Sequence, residues 1–310
     1  MTVHERLPIL VAVGDSDTHD AALRFAAEQA LREHRPLRLV HVLPSSTGGM
    51  FPEQMLVSFE AATLVAQQLL TAQVERAEEL VHGQVRVDKT LRRGPVVEQL
   101  LELSLTADLV VLQHRQLAPL RRVFTGSVCA GLAGRAAVPV VSVPELWSPS
   151  ERPPQVLVGL DGVGEHRALL AHAFGEADRR NATVRVLHSW FVPTMYDNVI
   201  VDRVAQDEWE ASARRIVDVE LQPYLRAHPS VDVRIDVVHK RPADALVEAS
   251  EHSTLLVVGR RGAAHGLTHL GSVTRAVIRE SHCPVTVVAP ADVGISGRDE
   301  VAVEEPVMSS

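Results

Sequence analysis

Residues 9–30 read ILVAVGDSDTHDAALRFAAEQA, and residues 156–177 read VLVGLDGVGEHRALLAHAFGEA. Each opens with a short apolar run, passes a turn carrying Gly and Asp, and continues with Ala and Leu at helical spacing. That is the pattern of a strand, a turn and a helix. The match does not stop there. LRLVHVLP, from Leu37, answers VRVLHSWFVP, from Val184, each with a His near the strand end. VRVDKTLRRGPVVEQLLELS answers VRIDVVHKRPADALVEASEH; ADLVVLQHRQ answers STLLVVGRRG; AAVPVVSVP answers SHCPVTVVAP. Corresponding positions lie roughly 145 residues apart throughout, so the chain is one unit written twice.

The unit reads strand and helix in alternation, ending on a strand. Alternation of this kind implies an α/β fold with a parallel sheet covered on both faces. The near-continuous Val, Ile and Leu runs are what doubly buried strands require. The expectation is two tandem five-stranded, Rossmann-like domains. Residues 52–82 read as one long helix, with apolar positions at Leu56, Phe59, Leu64, Leu69, Leu70 and Leu80, and residues 199–227 as its counterpart. The stretch LWSPSERPPQ, with three prolines and two serines, marks a linker. The expected organisation is a first domain at 1–147, a linker at 148–154, a second domain at 155–290 and an acidic tail without periodicity at 291–310, expected to be disordered.

Bulk properties narrow the function. The 310 residues accommodate two domains, each large enough for its own core. A net charge of −8 argues against nucleic-acid binding over the whole surface, though not against an anion site built from backbone amides. The two cysteines, Cys129 and Cys283, are far apart and suit a reducing compartment as buried thiols. No apolar run approaches the ~18 residues of a membrane helix, and the N-terminus carries no signal-peptide core. The reading is a cytoplasmic protein without membrane or nucleic-acid partners.

Residues 257–277 read VVGRRGAAHGLTHLGSVTRAV. Open parallel sheets bind ligands beyond the carboxyl ends of their strands. Gly259 falls where a strand ends, and Gly262 can curl the loop so that N–H groups converge. Gly271 and Ser272 fall where the next helix begins, with its free amides and positive dipole end. Ser272 and Thr274 add hydroxyls, and Arg261 a guanidinium. In the first turn of this half, Asp161 could accept from a ribose hydroxyl or cap the helix. The segment is neither a Walker loop nor the dinucleotide fingerprint.

The combination of LDG, VLHS, VVGRRG, GSVTRAVI and CPVTVVAP, in that order, resembles the universal stress protein family, over roughly residues 8–145 and again over 154–290. Many members bind ATP through a Gly, two residues, Gly, nine residues, Gly-Ser/Thr motif. The resemblance implies ATP, with Mg as a companion ion, in the C-terminal half. It assigns ligand contacts to Leu160, Asp161, Ser189, Gly259, Arg261, Gly262, Gly271, Ser272, Val273 and Thr274. Eight residues, not nine, separate Gly262 from Gly271, with Gly266 inside the interval. The N-terminal half departs further: Gly14 stands at the aspartate position and Gln113 and Gln116 at the first two glycines, while Gly126-Ser127 persists. That half is expected to carry no ATP and to serve as structural partner in an internal pseudo-dimer, a homodimer of the whole chain being a further assembly.

His265 and His269 lack a third metal ligand in the sequence, His41 and His188 suit packed hydrogen-bonded roles, and no Ser-His-Asp order or nucleophile elbow occurs. The implied function is a non-enzymatic ATP-binding stress-response regulator, slow hydrolysis aside. The alternatives are a ligand-free interaction module and an adenine-nucleotide α/β enzyme. The strand-one turns, VGDSD and LDGVGEH, lack the motifs that such enzymes carry.

Overall fold

The computed structural model describes residues 6–14, 20–44, 52–114, 125–161, 166–191, 206–260 and 270–291, with backbone alone at 52–59, 125–127 and 206–207. In the N-terminal half the strands are β1 (Ile9–Val13), β2 (Leu37–Leu43), β3 (Val87–Arg93), β4 (Leu109–His114) and β5 (Val140–Pro144). Between them run α1 (Asp20–Glu33), α2 (Pro52–Val81), α3 (Val96–Ser104) and α4 (Thr125–Ala133). The C-terminal half repeats the order: β6 (Gln155–Leu160), α5 (Arg167–Arg180), β7 (Thr183–Trp190), α6 (Gln206–Ala227), β8 (Val233–His239), α7 (Pro242–Ser250), β9 (Leu255–Gly259), α8 (Ser272–Glu280) and β10 (Val285–Val288). The linker, 148–154, runs as coil between the halves.

These ten strands form one sheet, in the order β3-β2-β1-β4-β5-β10-β9-β6-β7-β8. Within each half the pairings of the described strands are parallel. The closing strands β5 and β10 join the halves in an antiparallel pairing, with Val285 opposite Ser142, Thr286 opposite Val141 and Val287 opposite Val140. Val141 and Thr286 are matched positions of the two repeats, so a pseudo-two-fold axis passes between them, as in an isologous dimer interface. The halves therefore pack through their last strands, as the matched sequences predict.

Burial explains where each strand sits. β5 and β10, at the centre, are buried along their whole length. The outermost strands carry the charge: Asp88, Lys89, Arg92 and Arg93 on β3, and Arg234 and Asp236 on β8. Charged edges discourage further strand pairing. The core forms one layer on each face, and each layer contains residues of both halves. One apolar position departs from expectation: Leu64 on α2 is exposed, and the buried stripe of that helix is Ala66, Leu70, Ala77 and Val81. Helical spacing from Leu70 selects these positions, and Leu64 falls outside the arc. Cys129 and Cys283 are both buried and free. Burial pushes their thiols up to about 11 and about 12, respectively.

On the face carrying α1 and α5, a polar cluster lies across the join. Gln29 Nε2 donates to Glu176 Oε1 at 2.9 Å, and Arg180 donates both to Glu176 at 2.8 Å and to Gln29 Oε1 at 2.6 Å. Gln29 and Glu176 are again matched repeat positions, 147 residues apart. No helix among the described residues is long and apolar enough to cross a membrane.

Candidate functional site

The C-terminal half changes direction at β6. From β6 the chain goes through α5 to β7 on one side, and later returns through α7 to β9 on the other; β6 is flanked by β7 and β9. The helices leave on opposite faces, so a crevice opens between the carboxyl ends of β6 and β9, the topological switch point of such sheets. Leu160 and Gly259 end these two strands, and Asp161 follows β6. β6 and β9 pair up to Val158 and Val257, and two residues further along each strand come Leu160 and Gly259. Leu160 is buried and lies opposite His188 on β7, one residue before Ser189. Asp161 follows directly, its carboxyl half exposed.

The opposite wall is the start of α8. Gly271 is its N-cap, in extended conformation and without a side-chain cap. Its first intrahelical bond runs from Arg275 N to Gly271 O, 3.1 Å. The amides of Ser272, Val273 and Thr274 thus precede the helical ladder, at the positive end of the dipole. Thr274 Oγ1 donates to Gly259 O at 3.3 Å, which ties this turn to the end of β9. Among the described residues, a Cβ placed on Gly259 would meet nothing nearer than Leu169 Cδ2, at 3.9 Å. By contrast, a Cβ on Gly159 would come within 3.0 Å of Leu246 Cδ1, so that glycine answers to packing. Arg261, Gly262, Gly266, His265 and His269 lie outside the described residues.

The matched histidines behave as packing predicts. His41 Nδ1 is 2.9 Å from Val13 O and His188 Nδ1 is 3.2 Å from Leu160 O, the same contact in each half. Ser189 Oγ donates to Lys240 O. Arg260 turns away from the crevice: its Nη1 reaches the carbonyl of Ala133, at the end of α4 in the other half, at 3.5 Å. Burial pulls its pKa below the usual arginine range.

Sequence reasoning missed two partners. His166, the N-cap of α5, bridges Asp161 Oδ1 at 2.7 Å and Glu220 Oε1 at 2.8 Å. His166 stands five residues beyond Asp161, which was the available clue, but Glu220 comes from α6 and has no local signal. In the N-terminal half the matching crevice is treated differently. Gln113 occupies the position of Gly259, and its Oε1 accepts from Ala22 N, in the first turn of α1, at 3.4 Å. A side chain here meets an amide in the first turn of α1, the counterpart of α5. Gly126-Ser127 falls inside the first turn of α4. Gln116 and Asp15 lie outside the described residues.

A separate cleft of about 570 Å³ opens at the opposite end of the C-terminal strands, between the linker and residues His252 and His282. Its polar groups are paired with one another: Arg152 with Glu251 O and His252, and Thr254 with Gln155 O. Unlike the switch-point crevice, it is a seam between the halves.

The fold defines a class: tandem, doubly wound α/β domains joined in one sheet. The sequence profile of the universal stress protein family matches residues 6–144 and again 154–289. The chain belongs to that family. A universal stress protein of Mycolicibacterium smegmatis is 31% identical over 303 residues, covering 91% of this chain and 97% of the relative. One of Mycobacterium tuberculosis is 30% identical over 305 residues, covering 91% and 94%. Among solved structures, a universal stress protein from Archaeoglobus fulgidus superposes with a TM-score of 0.62 at 15% identity, over 90% of this chain and 96% of that one. That likeness concerns the fold.

Proposed function

We propose that the C-terminal half binds an adenine nucleotide, ATP, in the crevice between β6 and β9, and that the protein acts as a nucleotide-responsive regulator of stress survival. The observation that carries this reading is the placement of Asp161, Gly259 and the uncapped start of α8 at the carboxyl ends of β6 and β9, with Thr274 tied to Gly259. The amides of Ser272 to Thr274 suit phosphate, and the exposed carboxylate of Asp161 suits a ribose hydroxyl. Backbone at Leu160 and Ser189 borders the base, and Arg261 and Gly262 would complete the phosphate side. Mg²⁺ would arrive bound to the phosphates.

The residues present supply binding and orientation. In this reading turnover is slow or absent, and the bound state acts by shifting a conformational equilibrium. The Gln113 contact favours a ligand-free role for the N-terminal half, residues 1–147, as partner of residues 155–290 in an internal pseudo-dimer. A cytoplasmic setting goes with the reading, as does a further homodimer of the whole chain.

The test is direct. The purified chain is denatured and the supernatant chromatographed for nucleotide, and the nucleotide-free chain is titrated with ATP by calorimetry. One ATP per chain is the expected stoichiometry. Two per chain would contradict the assignment to one half, and none would favour a ligand-free interaction module.

A further inference from the structure

His166 stands between two carboxylates. Its Nε2 is 2.7 Å from Asp161 Oδ1, at the end of β6, and its Nδ1 is 2.8 Å from Glu220 Oε1, on α6. An imidazole donates at both nitrogens only as the imidazolium; the neutral ring has one donor and one acceptor. The ring is 11% exposed, so water does little to replace either partner.

The placement runs against helix energetics. His166 is the N-cap of α5, where a positive charge meets the positive end of the dipole. In the N-terminal half the match of His166 is His19, outside the described residues, and the match of Arg167 is Asp20. There Asp20 opens α1 and is bridged by Arg24 and by Arg76 of α2. What differs between the halves is the acid at the strand end: Asp161 in this half, Gly14 in the other.

We infer that His166, as imidazolium, is a positioning residue for the nucleotide: it holds the Asp161 carboxylate at the crevice and ties it to α6, so that nucleotide binding and protonation of His166 are linked. This rests on the reading of the crevice as a nucleotide site. With Oδ1 held by His166, the half-exposed Asp161 carboxylate is fixed in one orientation toward a ribose hydroxyl. When the ring loses its proton, one carboxylate faces a lone pair, and either Asp161 or α6 is released. Among the described residues the groups facing the ring are Asp161 from β6 and Glu220 from α6. On its own helix Arg167 follows, its carbonyl accepting from Tyr224 of α6. α1 meets α5 at the far end, through Glu33 and Arg179. The hydrogen bond to Asp161, with that to Glu220, outweighs burial and holds the pKa of His166 above the usual range. The bridge is thus complete at low pH and lost as pH rises through that raised value.

Two measurements on the full chain test this. The first is an NMR titration of the His166 ring without nucleotide, the resonance identified by its loss in His166→Gln. A midpoint above ~6.5, lowered in both Asp161→Asn and Glu220→Gln, is expected; a midpoint at or below ~6.5 overturns the bridge. The second is ATP affinity by calorimetry from pH 5.5 to 9. The wild-type chain should weaken about ten-fold more than His166→Gln over that range, the worth of one charge-assisted hydrogen bond, while the titration of the phosphates is common to both. Glu220→Gln, which leaves the crevice untouched, should shift the wild-type profile to lower pH. ATP binding with parallel profiles in all three chains overturns the linkage alone. Absence of ATP binding at every pH overturns the nucleotide reading and the linkage with it.

Discussion

Gly259 and Gln113 hold matched positions and show what one residue decides. At Gly259 the nearest atom to an added methyl group, among the described residues, would be Leu169 Cδ2, at 3.9 Å, an ordinary contact. Gly259→Gln, which copies the other half, should leave the stability of the nucleotide-free chain nearly unchanged. It should abolish stabilisation by ATP, because the side chain would reach toward the amides at the start of α5 or α8, as Gln113 reaches Ala22. ATP at ~100 times its dissociation constant adds about 2.7 kcal/mol to the folded state. For a chain of this size that raises the melting temperature by about 4 °C. A thermal-shift series with and without ATP checks both halves of the expectation. An unchanged ATP shift in the variant would remove Gly259 from the site.

At the scale of elements, α1 and α5 meet across the join through the cluster around Glu176. Burial alone would raise the pKa of this carboxyl. Arg180, together with Arg179, outweighs that and brings it to about 2, from an ordinary 4.5. The folded-state pKa is depressed, so the stabilisation is present above pH ~4.5 and disappears as pH falls toward ~2; its size is about 3 kcal/mol. Glu176→Gln should cost about 3 kcal/mol or more at neutral pH, because Arg180, 7% exposed, loses its carboxylate partner. The loss should shrink as the wild-type chain is itself acidified. Denaturant unfolding at pH 7 and at pH 3 measures it, and an equal loss at both would place the effect outside the ion pair. The cluster also gives the join a direction. Gln29 meets Glu176 across the axis, whereas two copies of α5 brought together would set Glu176 against Glu176.

For the whole molecule, the join between β5 and β10 makes one body of two repeats. Both core layers run through it, and Val141 and Thr286 meet at its axis. The chain should therefore unfold in a single calorimetric transition. Thr286→Arg puts a cation at a position 1% exposed, with no acid beside it in the strand pairing. It should split the transition in two as the halves uncouple. One peak at the wild-type temperature would show that the join contributes little to cooperativity.

Local pattern in the chain was enough for the repeat, for the α/β alternation and for placing Leu160 and Gly259 at strand ends and Gly271 at a helix start. These follow from hydrophobic period, from turn residues and from Gly at strand ends, all of which act over a few neighbouring positions. The polar contacts that tie elements together needed the folded molecule. The bond from Gln29 to Glu176 spans 147 residues, that from Gln113 to Ala22 spans 91, and that from His166 to Glu220 spans 54. A periodic pattern states which face of a helix is buried. It does not state which polar side chain on a distant element arrives beside it, because that depends on the angle and register at which whole elements pack.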